Sequence, residues 1–510
     1  MSLRDLLSSV VASEPDRVAV IGSGRRLTYR ELDAQATALA SSWLRAELQP
    51  FDRVALWMRN GPELLICYFA CWKAGLIPVP IDLRYQLPQV RFILKNCEAR
   101  IVVADSDKQT DLTAVDNLTD LAQLVIAGDA ITLADAVAFE SLVLSTNELS
   151  GPPFLGDQLA VIFYTSGTTS RPKGVVHSDL RLWRRVAKIV RECRIGPESV
   201  GLANLSLLRP LGLQVQALAI LASGGCVVTL PRFSPDAFWQ SYNQPPAKTL
   251  LTFTPDALSA VLHHPAARSA DYSGLQLCLV GSDAVPTSLH ALFRDITGME
   301  LVEMCGMTET GPYAMNPPFD LKKPGSIGQA LEGTLLRIVD NQGCDVPAEQ
   351  SGQILVRTSD MMVGYWNNSL ETFQVLRDGW LFTGDLGRSD ADGYVWFCGR
   401  MKDVIVRDGR NLSPTEVESV LGHHPAIQES VAVGVDDPPH GQVVEVFVRL
   451  RPNVVDLPVI EELRTLVTQQ MESLAVPRSI YYVSEWPRTA QGKIDRKRLQ
   501  WIAAAGGVQI

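Results

Sequence analysis

Hydrophobic and polar positions along this chain follow two periods that exchange every ten to twenty residues or so. Around Leu27-Thr28-Tyr29-Arg30-Glu31-Leu32 the pattern predicts a helix. A strand at Arg53-Val54-Ala55-Leu56 and a second helix running to Lys73 follow it. Short apolar runs then alternate with helical stretches as far as about residue 300, at residues 77–81, 101–103, 124–126 and 275–280. Apolar strands separated by helices predict an α/β fold of layered, largely parallel sheets. Between residues 325 and 395 the texture changes to short strands with Gly and Asp turns, including residues 335–339 and 353–356. A smaller β subdomain is expected there. Residues 401–510 combine Val431-Ala432-Val433, an apolar run at 443–450 and a helical pattern near 461–471, which reads as a small α+β domain. The expected division is a large N-terminal domain, residues 1–400, with its β subdomain at about 325–395, and a C-terminal domain, residues 401–510.

Composition narrows the function classes. A chain of 510 residues exceeds what one core organises, so two or more domains are expected. Hydrophobic residues at 46% and charged residues at 20% are ordinary for a soluble protein. A net charge of −10 argues against general nucleic-acid binding, which needs a basic surface. The nine cysteines form no C-x-x-C pair, and Cys67 and Cys71, one helical turn apart, read as core packing. The start of the chain lacks the basic-then-apolar design of a secretion signal. The apolar run 218–230 contains Gly224 and Gly225 and falls short of a membrane span. No integral membrane association and a cytoplasmic location are expected.

The densest chemistry lies at Tyr164-Thr165-Ser166-Gly167-Thr168-Thr169-Ser170-Arg171-Pro172-Lys173-Gly174, directly after the apolar run 159–163. Backbone N–H groups and hydroxyls in such a loop donate to polyphosphate oxygens, and the lysine supplies a compact positive charge. The spacing is not G-x-x-x-x-G-K-[ST], which excludes the P-loop NTPase reading. Further candidates are Gly281-Ser282-Asp283-Ala284, at the carboxyl end of a strand where open α/β sheets bind ligands, and Cys305-Gly306-Met307-Thr308-Glu309-Thr310. Later come Thr383-Gly384-Asp385, then Gly399-Arg400-Met401-Lys402-Asp403, then Gly409-Arg410-Asn411-Leu412-Ser413-Pro414-Thr415-Glu416, and finally Pro487-Arg488-Thr489-Ala490-Gln491-Gly492-Lys493. Taken singly, the T-G-D and T-E pairs are ordinary solvated turns, and Ser413 with Glu416 is a capping box.

In this order and over nearly the whole length, these segments resemble the signatures of the adenylate-forming superfamily, which includes the acyl- and aryl-CoA ligases. The resemblance implies ATP, Mg²⁺ and CoA, or a carrier-protein phosphopantetheine, as cofactors. It implies a small carboxylic acid as substrate and a small C-terminal domain that swings between half-reactions. By the same resemblance Thr165, Ser166, Gly167, Thr168, Thr169 and Lys173 surround the phosphates. Gly281, Ser282, Asp283, Cys305, Gly306 and Met307 line the nucleotide site. Thr308 donates to the α-phosphate, and Glu309 holds the metal. Asp385 accepts from the ribose hydroxyls, Arg400 reaches ribose or phosphate, Lys402 is the hinge, and Gly409 lets the backbone approach the pantetheine arm. Lys493 bridges the attacking carboxylate and the α-phosphate. The acid pocket falls to Arg209, Gly212, Gly281 and Met307.

Two positions depart from the family pattern. Cys305 stands where an aromatic ring usually packs on adenine, and Arg209 stands where histidine is expected. Arg209 is read either as a reader of a second polar group on the acid or as pointing out of the pocket. The basic positions Arg181, Arg184, Arg185, Lys188 and Arg191 lie opposite an apolar stripe of Leu182, Val186, Ile189 and Cys193. They read as a solvated face or as a dock for CoA phosphates or an acidic carrier. The expected activity is formation of an acyl-adenylate, then of a thioester with CoA. The alternatives are a stand-alone enzyme loading an acyl carrier protein, a thioester-forming enzyme with impaired adenylation, and a nucleotide-binding protein without catalysis.

Overall fold

The structure is a computed structural model and describes residues 2–46, 48–115, 121–128, 131–144, 157–166, 171–451, 454, 458, 460–489 and 494–506. The chain divides into two compact units, one of residues 1–335 and 357–381 and the other of residues 336–356 and 382–510.

The first unit is built on two large sheets. One is five-stranded and parallel throughout, in the order Ile77–Pro80, Arg53–Trp57, Ala99–Asp105, Gln123–Ala127, Ala136–Ala138. Its strands are apolar on both faces because each face is covered. Val54 and Leu56 enter one core while Ala55 and Trp57 enter another. The other large sheet has nine strands, parallel through its centre and antiparallel at both ends. The helix Pro62–Ala74 buries almost every side chain, Cys67 and Cys71 included, and ends at Gly75 with φ +72°, a left-handed C-cap that glycine adopts without strain. The helix expected from Leu27 begins later. Leu27 and Thr28 close the strand Arg25–Thr28, and the Thr28 side chain caps the helix Tyr29–Arg45 in a reciprocal box with Glu31.

In the second unit the strands Thr334–Val339, Gly352–Thr358 and Trp380–Ser389 pair in that order, and Val395–Arg400 pairs with the last. Beyond them Ile427–Asp436, Gln442–Leu450 and Ser479–Tyr482 form a three-stranded sheet. Alternation places Val431, Val433 and Val435 against the helix Arg496–Ala504. Ala432, Val444, Val446 and Val448 face the helices Pro414–Leu421 and Ile460–Gln470. Among the described residues no helix is long and apolar enough to cross a membrane.

Candidate active site

The phosphate-loop sequence joins two antiparallel strands, Leu159–Ser166 and Pro172–Ser178, with Thr165 opposite Lys173. Gly167, Thr168 and Thr169 lie outside the described residues, as does Lys493. The far edge of this hairpin pairs with the short strand Gly364–Tyr365, Tyr365 lying opposite Val175. Gly174 is required by crowding: a Cβ there would come within 3.1 Å of Trp366 and 2.8 Å of Ile162.

Glu309 sits in the turn between Val302–Met307 and Gly311–Met315. Its main chain is held tightly, because its carbonyl accepts from Met362 N at 2.6 Å and from Arg185 Nη2 at 3.2 Å. Its carboxylate Oε1 accepts from the Tyr365 hydroxyl at 2.8 Å. Among the described residues Oε2 takes no hydrogen bond, and neither does the Thr308 hydroxyl. Lys173 pairs with Glu371, and its ammonium lies 5.8 Å from the centre of the Tyr365 ring. Burial lowers the Lys173 pKa, and the Glu309 charge opposes that shift. One short segment, residues 360–371, thus touches both the loop lysine and the T-E turn.

Beneath this turn lies a polar cluster that the sequence reading misplaced. In the helix Asp179–Glu192, Arg185 is 1% exposed and Lys188 5% exposed, so they belong neither to a solvated face nor to a docking surface. Arg185 donates through Nε and Nη2 to the Asp360 carbonyl, at 2.9 and 2.5 Å. Lys188 meets the Asp360 carboxylate at 2.6 Å. Arg181 donates to the carbonyls of Met361 and Met362 at 2.9 and 2.6 Å. Arg184 and Arg191 remain toward solvent, Arg191 paired with Glu332. Burial pulls the Arg185 pKa down to about 9, with Asp360 and Glu309 opposing, so the guanidinium is charged at neutral pH. Buried His177 lies 3.4 Å from Arg185 Nη1, and burial followed by that charge holds its pKa well below the ordinary value. Gly311, at φ +67°, leaves room for this arginine: a Cβ there would lie 2.6 Å from Arg185 Cδ.

Around Gly281 and Gly306 the backbones are close. Gly281 ends the strand Leu277–Gly281, and a Cβ on it would lie 2.1 Å from the Met304 carbonyl. Ser282 takes a left-handed φ of +77°, and Ser282 and Asp283 are exposed. Gly306 faces the Gly311 carbonyl, 2.6 Å from where a Cβ would stand. Met307 is half-buried and packs beside a small cluster that includes Met362 and Tyr365. The Cys305 thiol donates to the hydroxyl of fully buried Tyr313 at 3.1 Å.

In the pocket stretch, Arg209 pairs through Nε with the Asp82 carboxylate, which Arg84 shares at 3.1 Å. The Arg209 side chain is 36% exposed. Gly212 opens a π-helical stretch, Gly212–Leu218, and a Cβ there would fall 2.3 Å from the Ser206 carbonyl. In the same stretch the Gln214 amide is buried with neither its oxygen nor its nitrogen partnered.

In the second unit, Asp385 and Arg400 stand opposite each other on adjacent strands, with Arg400 Nε 3.3 Å from Asp385 Oδ1. Thr383 braces the strand Trp380–Ser389 from within, accepting from Asp385 N at 3.0 Å and donating to the Ile354 carbonyl at 2.6 Å. Lys402 is exposed in the single turn Met401–Asp403. Gly409, at φ +74°, follows Asp408 in the hairpin between Ile405–Arg407 and Arg410–Leu412, a turn whose backbone favours an Asp-Gly pair. Ser413 accepts from Glu416 N at 3.4 Å as the cap of the next helix.

A parallel-sheet core, a Ser/Thr/Gly hairpin carrying a lysine, and a carboxylate braced beside it define a nucleotide-binding enzyme. Residues 7–366 match the AMP-binding enzyme family, and residues 416–493 match the AMP-binding enzyme C-terminal domain. The sulfoacetate–CoA ligase of Cupriavidus necator is 33% identical over 506 residues, covering 98% of this chain and 97% of its own. The indoleacetate–CoA ligase of Aromatoleum aromaticum is 32% identical over 513 residues, covering 99% and 98%. The anthranilate CoA ligase AuaEII, solved with anthranoyl-AMP, superposes with a TM-score of 0.92 at 26% identity, covering 99% of this chain and 98% of its own. The chain belongs to the AMP-binding enzyme family, as an AMP-forming acid–CoA ligase of the adenylate-forming superfamily.

The sequence reading missed Tyr365, Glu371, Asp82 and Asp360. Tyr365 left a local trace in Gly364-Tyr365-Trp366, and Asp82 one at the end of Lys73-Ala74-Gly75-Leu76-Ile77-Pro78-Val79-Pro80-Ile81-Asp82.

Proposed function

We propose that this enzyme activates a small carboxylic acid with ATP and passes the acyl group to the thiol of CoA. The substrate carboxylate attacks the α-phosphorus, the bond to pyrophosphate breaks, and an acyl-adenylate forms. The thiol then attacks its carbonyl carbon and AMP leaves. The observation that carries this reading is the bracing of Lys173 and Glu309 around the Tyr365 side chain. On this reading Lys173 serves the phosphates and Glu309, next to Thr308 in the chain, holds the metal.

The residues suit Mg²⁺. Among the described residues no group of three or more His, Cys, Asp or Glu could hold a metal ion. That is the usual situation for Mg²⁺, which takes one or two carboxylates and completes its shell with substrate phosphates and water. Glu309 Oε2 would hold it, and the ion would supply charge neutralisation on the phosphates. Thr308 donates to the α-phosphate and Lys493 stabilises the charge that develops during attack. Such donors are worth most in a preorganised, dry site. Asp385 and Arg400 take the ribose, Lys402 is the hinge of the C-terminal domain, residues 401–510, and Gly409 admits the pantetheine arm. Movement about Lys402 lets one small domain serve both half-reactions.

Support for CoA over a carrier protein comes from the relatives. Three dissimilar acids, sulfoacetate, indoleacetate and anthranilate, are named with one acceptor, CoA. The test is incubation with Mg·ATP, CoA and a panel of fatty, aromatic, sulfonated and dicarboxylic acids, with mass spectrometry of acyl-CoA and AMP. Equal amounts of the two products are expected for at least one acid class. Acid–AMP without acyl-CoA would move the reading to carrier-protein loading. Thioester formed only from supplied acyl-adenylate would move it to an enzyme impaired in adenylation.

A further inference from the structure

We infer that Tyr365 is a positioning residue for the metal-binding carboxylate, holding one oxygen of Glu309 so that the other is presented to Mg²⁺. This rests on the assignment of Glu309 as the metal holder. The geometry has three parts.

Both ends of the Tyr365–Glu309 hydrogen bond are pinned before any ligand arrives. On the Tyr365 side the backbone pairs in register with Val175, and its N–H donates to the Thr372 hydroxyl at 2.8 Å. On the Glu309 side the carbonyl is held by Met362 N and by Arg185, which also grips Asp360 at the start of the same segment. The 2.8 Å bond between the two side chains therefore joins two fixed points, and the carboxylate loses its rotational freedom without a ligand.

The contact leaves the charge of Glu309 available. A phenol donates a neutral hydrogen bond to Oε1 and leaves Oε2 without a partner among the described residues.

The nearby ammonium is kept occupied. Lys173, which lies beside the Tyr365 ring, takes Glu371 as its ion-pair partner. Glu371 is itself oriented by Asn368, whose Nδ2 donates to Glu371 Oε2 at 2.9 Å and whose Oδ1 accepts from Glu371 N at 3.2 Å. Tyr365 thus stands between a lysine paired with one carboxylate and a second carboxylate left for the cation.

The test uses the full chain and needs no knowledge of the acid. Binding of α,β-methylene-ATP is measured by calorimetry over a graded series of Mg²⁺ concentrations, with Tyr365→Phe and Glu309→Gln beside the parent. Phenylalanine keeps the ring and its contact with Lys173 and removes only the hydroxyl. Loss of an outer partner of a metal ligand typically costs about 10–100-fold in metal affinity. The Mg²⁺ midpoint is expected to rise about 10-fold in Tyr365→Phe. Nucleotide binding at saturating Mg²⁺ and the melting temperature are expected to stay at parental values. A midpoint within twofold or so of the parent, or a loss that saturating Mg²⁺ does not restore, would overturn the inference. If Glu309→Gln leaves the midpoint unmoved, the metal assignment itself falls. If Glu309→Gln moves it and Tyr365→Phe does not, only the role of Tyr365 falls.

Discussion

Two clusters in the first unit have the same charge composition and opposite surroundings. In each, one buried aspartate engages two cations: Asp360 takes Lys188 on its carboxylate and Arg185 on its main-chain carbonyl, and the Asp82 carboxylate takes both Arg84 and Arg209. Asp360 is 3% exposed and Asp82 7%. The difference lies in the cations. Arg185 and Lys188 are sealed under the T-E turn, whereas the Arg84 and Arg209 side chains are 43% and 36% exposed. A guanidinium sealed in the interior must spend its donors on the protein, and Arg185 spends them on the carbonyls of Asp360 and Glu309. A half-exposed one keeps donors for solvent or ligand. Burial, and not residue type, separates a strut from a readable charge.

The largest expected effect breaks the buried cluster. Arg185→Met removes the charge, takes both Arg185 donors from the Asp360 carbonyl and leaves the Glu309 carbonyl with Met362 N alone, while the Asp360 carboxylate keeps Lys188. Leaving a buried acceptor unsatisfied costs about 1–3 kcal/mol. Urea denaturation of the full chain should show a loss of that size in the unfolding transition of the first unit. Arg209→Met should cost less than about 1 kcal/mol, as half-exposed ion pairs do. Equal losses from the two substitutions would erase the distinction drawn here.

A smaller effect sharpens the contrast through pH. Burial, and then the charges of Arg185 and Arg181, hold the His177 pKa well below 6.5. The unfolded chain therefore binds a proton near pH 6.5 that the folded chain refuses. Stability contributed by neutral His177 is full above that pH and declines as the pH falls toward the depressed folded value. From pH 8 to pH 6 the loss should be about 1 kcal/mol, and His177→Gln should lack it. The Asp82 cluster includes no histidine, so Asp82→Asn should leave the slope between those pH values as in the parent.

What could be read in advance follows the same line. Contiguous motifs were legible as sequence: the Ser/Thr/Gly stretch after the apolar run 159–163, the T-E pair, the T-G-D run and Gly409 each stand out locally, although the T-G-D run lies inside the strand Trp380–Ser389 and not in a turn. The apolar stripe of Leu182, Val186 and Ile189 was legible too, and all three are buried. The fate of the facing cations was not, because it depends on partners far away in the chain. Arg185 and Asp360 are 175 positions apart, and Lys173 and Glu371 are 198. A helical wheel shows where a side chain points but not whether a distant loop will arrive with a carboxylate. The start of the first long helix was displaced for a local reason: Thr28 fits a helix pattern but serves better as a cap, its side chain accepting from Glu31 N.

The smallest expected effect tests whether the exposed cluster is read by a ligand at all. Arg209 commits Nε to Asp82, and that leaves its two terminal nitrogens without a hydrogen bond among the described residues. If they face the acid, Arg209→Gln should lower kcat/KM for a dicarboxylic or sulfonated acid about fivefold more than for a monocarboxylic acid of similar length, the scale of a partly solvated charge pair. The preference should also shrink in high salt, since an exposed pair is screened over about 8–10 Å at ordinary ionic strength while a buried one is not. An equal loss on both acids would assign Arg209 to holding Asp82 and Arg84 together. In that case the two clusters would differ in exposure but not in purpose, and the acid would be selected elsewhere, with the unpartnered Gln214 amide as the next side chain to examine.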